Sequence, residues 1–246
     1  MFLNEEDIEK EKVIKTEESK VDDNESKIGQ IKSIGNIDKT EEDDKRKKED
    51  NIQVISIIGL IEGHQESNPQ MKTTKYEHMI PQLIEIERSE KVKGVLFLLN
   101  TVGGDVEAGL AIAEIISSMS KPSVSLVIGG GHSIGVPLAT ATNYSFISPS
   151  ATMIVHPIRM TGLVIGVSQT FKYFEKMQER IDDFVVRNSK ISKSNLKKLM
   201  LKTNDLLNDM GSILIGDEAV KAGIIDELGG VSVAMKKLDE LIGKKS

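Results

Sequence analysis

The chain has 246 residues, of which 39% are hydrophobic, so it is long enough to bury one substantial core. It contains no cysteine, which excludes disulfides, thiolate metal sites and a cysteine nucleophile. The formal net charge is −6, whereas a nucleic-acid-binding protein would carry a basic surplus on its folded part. We therefore expect no nucleic acid among its partners.

The acidic surplus is concentrated at the N-terminus. Residues 1–50 hold 17 Asp and Glu against 11 Lys and Arg and few apolar residues, which predicts a disordered charged tail before one folded domain over residues 51–246. The first residues lack the apolar segment of a secretory signal, and no apolar run approaches the roughly 20 residues that span a bilayer. We expect a cytoplasmic protein with no membrane span.

From residue 52 onward, short β-branched runs alternate with stretches of helical periodicity, which predicts an α/β fold around a largely parallel sheet. We predict strands over 52–61, 92–100, 122–130, 144–149 and 152–157. We predict helices over 73–90, after the glycine pair at 103–104, within 131–143, and over 168–190, 192–202, the start of 216–230, and 231–245. The helix over 168–190 is long and amphipathic.

A serine between glycines stands where the third of these strands turns into a helix. In the sequence GGGHSIG, Ser133 is flanked by Gly131 and Gly135. The glycines let a substrate carbonyl approach the backbone, and the following helix offers unpaired N–H groups to an oxyanion. The pattern is that of a nucleophile, although an ordinary helix N-cap serine would look the same.

The sequence MIVHPIR places His156 at the end of an apolar strand, where the following Pro157 stiffens the chain. An imidazole held in this way suits a general base, but a lone histidine at a strand end is more often structural. His132 adjoins Ser133, so at a turn we expect its ring to point elsewhere. The case for a catalytic pair therefore depends on Ser133 and His156 together.

A glycine pair, Gly103 and Gly104, follows the second buried strand in the sequence NTVGGD. It is either a tight β–α turn or the source of a backbone N–H for an oxyanion and of an edge for a peptide substrate.

These motifs occur in a fixed order that resembles the Clp protease proteolytic subunits. The series is NTVGG at 100–104, GHSIG at 131–135, MIVHP at 153–157 and EAVKAGIID at 218–226. The resemblance covers roughly residues 52–240, and within the family the chain is most similar to the branch of translocation-enhancing proteins. It departs from the family pattern at Val102, where a proline is usual, and at Pro157, where a glutamine is usual.

The resemblance implies a ClpP/crotonase-like fold of repeated β-β-α units with a long helix after the histidine. It also implies a serine endopeptidase in which Ser133 attacks the peptide carbonyl and His156 is the general base. Gly103 or Gly104 together with Ile134 would form the oxyanion hole. The third triad member would be Asp209 or Asp205, and we favour Asp209 because it leads directly into the EAV segment.

The implied partners are a peptide or unfolded protein substrate, further copies in a homo-oligomeric ring, and an AAA+ unfoldase or the translocation machinery. Two other functions stay open: a catalytically inactive scaffold in translocation, and a crotonase-type acyl-CoA enzyme, which would need a carboxylate over its thioester. We expect neither a cofactor nor a metal, because the histidines lack paired ligand spacing such as HExxH.

Overall fold

The computed structural model describes residues 51–65, 67–159, 166–203 and 210–245. Within these residues the strands are β1 (Ile52–Glu62), β2 (Thr73–Lys75), β3 (Gly94–Gly104), β4 (Ser123–Gly131), β5 (Tyr144–Ile147), β6 (Thr152–Val155), β7 (Ser212–Ile215) and β8 (Glu227–Leu228). The helices are α1 (Tyr76–Arg88), α2 (Val106–Ser118), α3 (Gly135–Thr140), α4 (Val167–Arg187), α5 (Lys193–Met200), α6 (Asp217–Lys221) and α7 (Val231–Lys245). The predicted tail, residues 1–50, lies outside the described residues.

The main sheet has the strand order β2-β1-β3-β4-β5-β8, and all of these pairings are parallel. A second, smaller ladder leaves it at the end of β4, where Gly130 pairs with Thr152 of β6. Strand β7 then runs antiparallel to β6. The carboxyl ends of β3, β4 and β6 therefore meet at one edge of the molecule, where ligands bind in open α/β sheets.

The two faces of the sheet carry separate apolar clusters because alternate residues of a strand point to opposite faces. On β3, Phe97 belongs to the larger cluster, which includes residues of α1 and α2, whereas Leu96 belongs to the smaller one under α7. The uninterrupted apolar run of β3 is explained by burial on both faces.

The predicted α/β fold with a mostly parallel sheet is confirmed, with three local differences. Residues 73–75, predicted as the start of a helix, form β2, and the helix begins at Tyr76. Strand β3 continues through Gly103 and Gly104, which were predicted to follow it. Strand β7 was not predicted at all.

Helix α4 is the longest described helix, with 21 residues. Met177, Phe184 and Val185 are buried on one side, as its periodicity predicted, but Phe171 near its start is exposed. Within the described parts of the chain, no helix is both long and apolar enough to cross a membrane.

Candidate active site

Ser133 occupies a strained turn between β4 and α3. Its φ is 57°, and it is the only non-glycine residue with positive φ among the described residues. Its N–H donates to the Ile154 carbonyl at 2.9 Å, and the His132 N–H donates to the Thr101 carbonyl at 3.1 Å. These two bonds hold the turn against the ends of β3 and β6, which stabilises a backbone conformation that a serine rarely adopts.

Gly103 lies directly beneath Ser133. A Cβ atom at Gly103 would lie 2.6 Å from the Ser133 Cβ and 2.8 Å from the His132 carbonyl oxygen, and its φ of 89° favours glycine. The Gly103 N–H donates to the Thr101 hydroxyl at 3.1 Å. Gly104 instead lines the same pocket as Ser133 and Ile134. Of the two glycines, Gly104 is therefore the better placed to meet a substrate oxygen.

His156 follows the last residue of β6, two positions after the carbonyl that accepts the Ser133 N–H. Its Nδ1 lies 2.6 Å from the Pro157 carbonyl oxygen. Because a carbonyl oxygen only accepts, the proton of a neutral His156 ring sits on Nδ1 in this contact, and Nε2 keeps its lone pair. This is the tautomer that a general base acting through Nε2 requires.

Ser133 and His156 line one pocket, which encloses about 660 Å³ of space, part of it open to solvent. Apart from Arg159, the other lining residues carry no polar side chain. They come from the ends of β3 and β6, the serine turn, the start of α2, α3, the segment after His156, α4 and α5: Gly104, Val106, Ile134, Val136, Pro137, Val155, Pro157, Ile158, Arg159, Ile181, Val185, Leu196 and Met200. No Asp or Glu is among these described lining residues, although the alternative acyl-CoA chemistry needs one.

The ring of His132 points away from the pocket's nucleophile toward β6. Its Nε2 lies 2.8 Å from the Thr152 hydroxyl. Burial lowers the pKa of His132, and the nearby charge of His156 lowers it further. His132 therefore joins the serine turn to the strand that carries His156.

Both candidates for the third triad position, Asp205 and Asp209, lie outside the described residues. The described residues resume at Met210, and β7 begins at Ser212, which pairs with Val155 of β6. The chain therefore returns beside His156 immediately after the predicted aspartates, so the prediction for Asp209 stays open.

Helix α4 forms the far wall of the pocket and is tied to α2 by two arginine–glutamate pairs. Arg180 donates to both carboxylate oxygens of Glu107, at 2.7 and 3.1 Å, and Arg187 donates to both oxygens of Glu114. The bond from Arg180 is the main cause of a lowered pKa at Glu107. On its inner side α4 carries a buried carboxylate, Asp182, which no sequence pattern singled out.

No group of three or more potential metal ligands occurs among the described residues.

Comparison with known sequences agrees with this fold. The profile of the Clp protease family matches residues 51–231. The chain belongs to the Clp protease family.

Among individual relatives, the chain is 59% identical over 195 residues to the translocation-enhancing protein TepA of Halalkalibacterium halodurans, covering 79% of this chain and 76% of that protein. It is 30% identical over 115 residues to the ATP-dependent Clp protease proteolytic subunit of Leuconostoc citreum, covering 46% of this chain and 54% of the subunit. It is 25% identical over 153 residues to subunit 1 of the same protease from Chlamydia muridarum, covering 60% of this chain and 76% of that subunit.

Proposed function

We propose that this chain is a serine-type endopeptidase that cleaves unfolded polypeptides. The observation that carries the proposal is the shared pocket of Ser133 and His156, with Ser133 in a strained turn that is hydrogen-bonded to β6, the strand that directly precedes His156. Membership of the Clp protease family supports the same reaction.

In the proposed reaction the Ser133 Oγ attacks the substrate carbonyl carbon, and its proton passes to Nε2 of His156. The N–H groups of Gly104 and Ile134 stabilise the resulting oxyanion. The proton then passes from His156 to the leaving amine, the peptide C–N bond breaks, and an ester on Ser133 remains. Water then attacks the ester carbonyl carbon and gives a proton to His156; the bond from that carbon to Ser133 Oγ breaks, His156 returns the proton to Oγ, and the acid product leaves. Asp209, with Asp205 as the alternative, completes the triad by orienting His156.

The pocket wall formed by Ile181, Val185 and Met200 favours an apolar side chain of the substrate beside the cleaved bond. By its family relationship we further propose that the chain assembles as a homo-oligomeric ring, acts in the cytoplasm, and receives substrates from an AAA+ partner or the translocation machinery.

The similarity to a protein named translocation-enhancing favours a second candidate function. In that function the chain is a scaffold in protein translocation that retains the peptidase fold but turns over no substrate. The two functions differ in whether Ser133 is chemically active.

The direct test is hydrolysis of fluorescein-labelled casein, an unfolded substrate, by the full chain. We expect hydrolysis by the wild type, none by Ser133→Ala or His156→Ala, and full hydrolysis by Ser168→Ala, a matched control at an exposed serine of α4. Undiminished hydrolysis by His156→Ala would contradict the mechanism.

A further inference from the structure

Helix α4 carries a buried carboxylate that takes no part in the proposed reaction. Asp182, on the inner side of α4, is only 1% exposed. Its burial raises the pKa of the carboxyl, while a hydrogen bond from Gln178 and the charges of Lys197 and Lys193 oppose the rise. Burying a carboxylate is unfavourable unless hydrogen bonds compensate for the lost water, so the groups that bond to Asp182 are informative.

Gln178, one helical turn before Asp182, connects the carboxylate to the chain after His156. Its Nε2 donates to Asp182 Oδ1 at 2.7 Å and lies 3.4 Å from the Met200 sulfur. Its Oε1 accepts from the Ile158 N–H at 2.8 Å. Because a carboxylate only accepts, Asp182 draws the NH₂ end of the amide toward itself and leaves the oxygen end facing Ile158.

The Ile158 N–H belongs to the same peptide group as the Pro157 carbonyl, which lies 2.6 Å from His156 Nδ1. One continuous series of hydrogen bonds therefore runs from the imidazole through the 157–158 peptide and the Gln178 amide to the Asp182 carboxylate. Each bond polarises the next, so an acceptor at the far end strengthens the Pro157 oxygen as an acceptor for Nδ1–H.

We propose that Asp182 and Gln178 are positioning residues for His156, which fix its Nδ1–H tautomer and its orientation through the 157–158 peptide. This inference rests on the proposed function and deepens it. It adds a carboxylate that acts at a distance, and the aspartate predicted after α5 would be a second acceptor that shares the one Nδ1–H with the Pro157 carbonyl. The same series also fixes Ile158 in the pocket wall, so the shape of the substrate site and the direction of the base depend on one peptide plane.

The test compares three single variants of the full chain and the double variant Asp182→Asn with Gln178→Met. Asp182→Asn replaces an obligatory acceptor by an amide that can also donate, so the Gln178 amide loses its fixed direction. Gln178→Met keeps the length of the side chain and removes the bond to Ile158. The matched control is Asp183→Asn, which changes the adjacent, exposed carboxylate, one that pairs with Lys193.

The first readout is the rate at which a fluorophosphonate modifies Ser133, measured well below each variant's melting temperature. In this reaction the Ser133 Oγ forms a bond to phosphorus, fluoride leaves, and His156 takes the proton. We expect Asp182→Asn and Gln178→Met each to slow it by about tenfold, the scale set by one hydrogen bond to a charged group. The double variant should be no slower than Gln178→Met alone, and Asp183→Asn should match the wild type. Unchanged rates in both single variants would overturn the proposal.

The second readout does not depend on activity. Solid-state ¹⁵N spectra of sedimented, histidine-labelled protein report the tautomer of His156, assigned by its absence from His156→Gln. We expect the Nδ1–H tautomer in the wild type and in Asp183→Asn, and a mixture of tautomers in Asp182→Asn and Gln178→Met. If the wild type fails to react with the probe, the peptidase proposal fails, and this spectrum still decides the positioning. An unchanged tautomer in both variants would refute it.

Discussion

The two walls of the candidate active site are held in place by different means. On the wall formed by β3, β4 and β6, backbone hydrogen bonds and a glycine packed beneath Ser133 fix the serine turn. On the opposite wall α4 packs with buried apolar side chains and is attached by exposed ion pairs and by one part-buried series of side-chain bonds through Gln178. The first wall, the serine wall, is therefore held mainly by backbone contacts, and the second, the α4 wall, by side chains.

The two walls meet different requirements of the proposed reaction. In the proposed reaction the nucleophile and its oxyanion donors need a fixed geometry, because a small misplacement lowers the rate of an acyl transfer steeply. The wall proposed to receive the substrate side chain would have to accommodate many sequences of an unfolded protein. A wall held by side chains allows such adaptation.

The largest effect should follow from a change beneath Ser133. Gly103→Ala forces a Cβ against the Ser133 Cβ and the His132 carbonyl at a φ that favours glycine. We expect a loss of about 2–4 kcal/mol in the free energy of unfolding and at least about a 100-fold slower reaction with a fluorophosphonate. Denaturant unfolding and labelling rates measure the two effects.

Gly230→Ala is the matched control for this substitution, since a Cβ at Gly230 would meet nothing within 4 Å. It should leave both stability and labelling close to wild type. If Gly103→Ala behaves like Gly230→Ala, the serine wall is not fixed in the way the contacts indicate.

An intermediate effect should appear as a pH dependence of stability at His132. Its pKa is lowered in the folded state, so the unfolded chain binds more protons as pH falls through the ordinary histidine range near 6.5. The contribution of neutral His132 to the free energy of unfolding is therefore fully present above that pH range. It is lost as the pH falls toward the lowered pKa of the folded state. We expect His132→Asn to lose less stability than the wild type between about pH 7 and pH 5.

Urea unfolding at each pH measures this difference. His78→Asn, on an exposed position of α1, is the control and should follow the wild-type pH profile. Parallel profiles for the wild type and His132→Asn would show that burial does not suppress protonation of the His132 ring.

The smallest effect should come from the ion pairs that attach the α4 wall. The side chains of Arg180 and Glu107 are 51% and 46% exposed, so solvent screens their attraction. A double-mutant cycle with Arg180→Ala and Glu107→Ala should give a coupling of about 0.2–1 kcal/mol that decreases with added salt. A coupling above about 2 kcal/mol would show that the ion pair holds the α4 wall as strongly as the backbone contacts hold the serine wall.

The sequence predicted most of the serine wall because its signals are local. Ser133 is flanked by glycines within one turn, and the apolar run of β3 indicates a strand buried on both faces without reference to distant residues. The continuation of β3 through Gly104 could not be predicted in this way. Paired glycines usually indicate a turn, and only the pairing of Gly104 with Ile61 extends the strand.

The α4 wall and the strand beside it were harder to predict because their structure depends on residues that are distant in sequence. Strand β7 has only four residues, and it is a strand because β6, nearly sixty residues earlier, pairs with it. Gln178 and Asp182 stand one turn apart on a helix rich in charge, a spacing typical of a solvated face. The burial of Asp182 and the bonds of Gln178 depend on the packing of α5 and of the segment after His156, which no local pattern encodes.

The proposed role of Ser133 as an activated nucleophile is tested most directly by the intact mass of the full chain after incubation with a fluorophosphonate. We expect one added phosphonyl group, mapped to the peptide that contains Ser133, and no addition to Ser133→Ala. A correctly folded wild-type protein that remains unmodified, or a label that persists in Ser133→Ala, would contradict it.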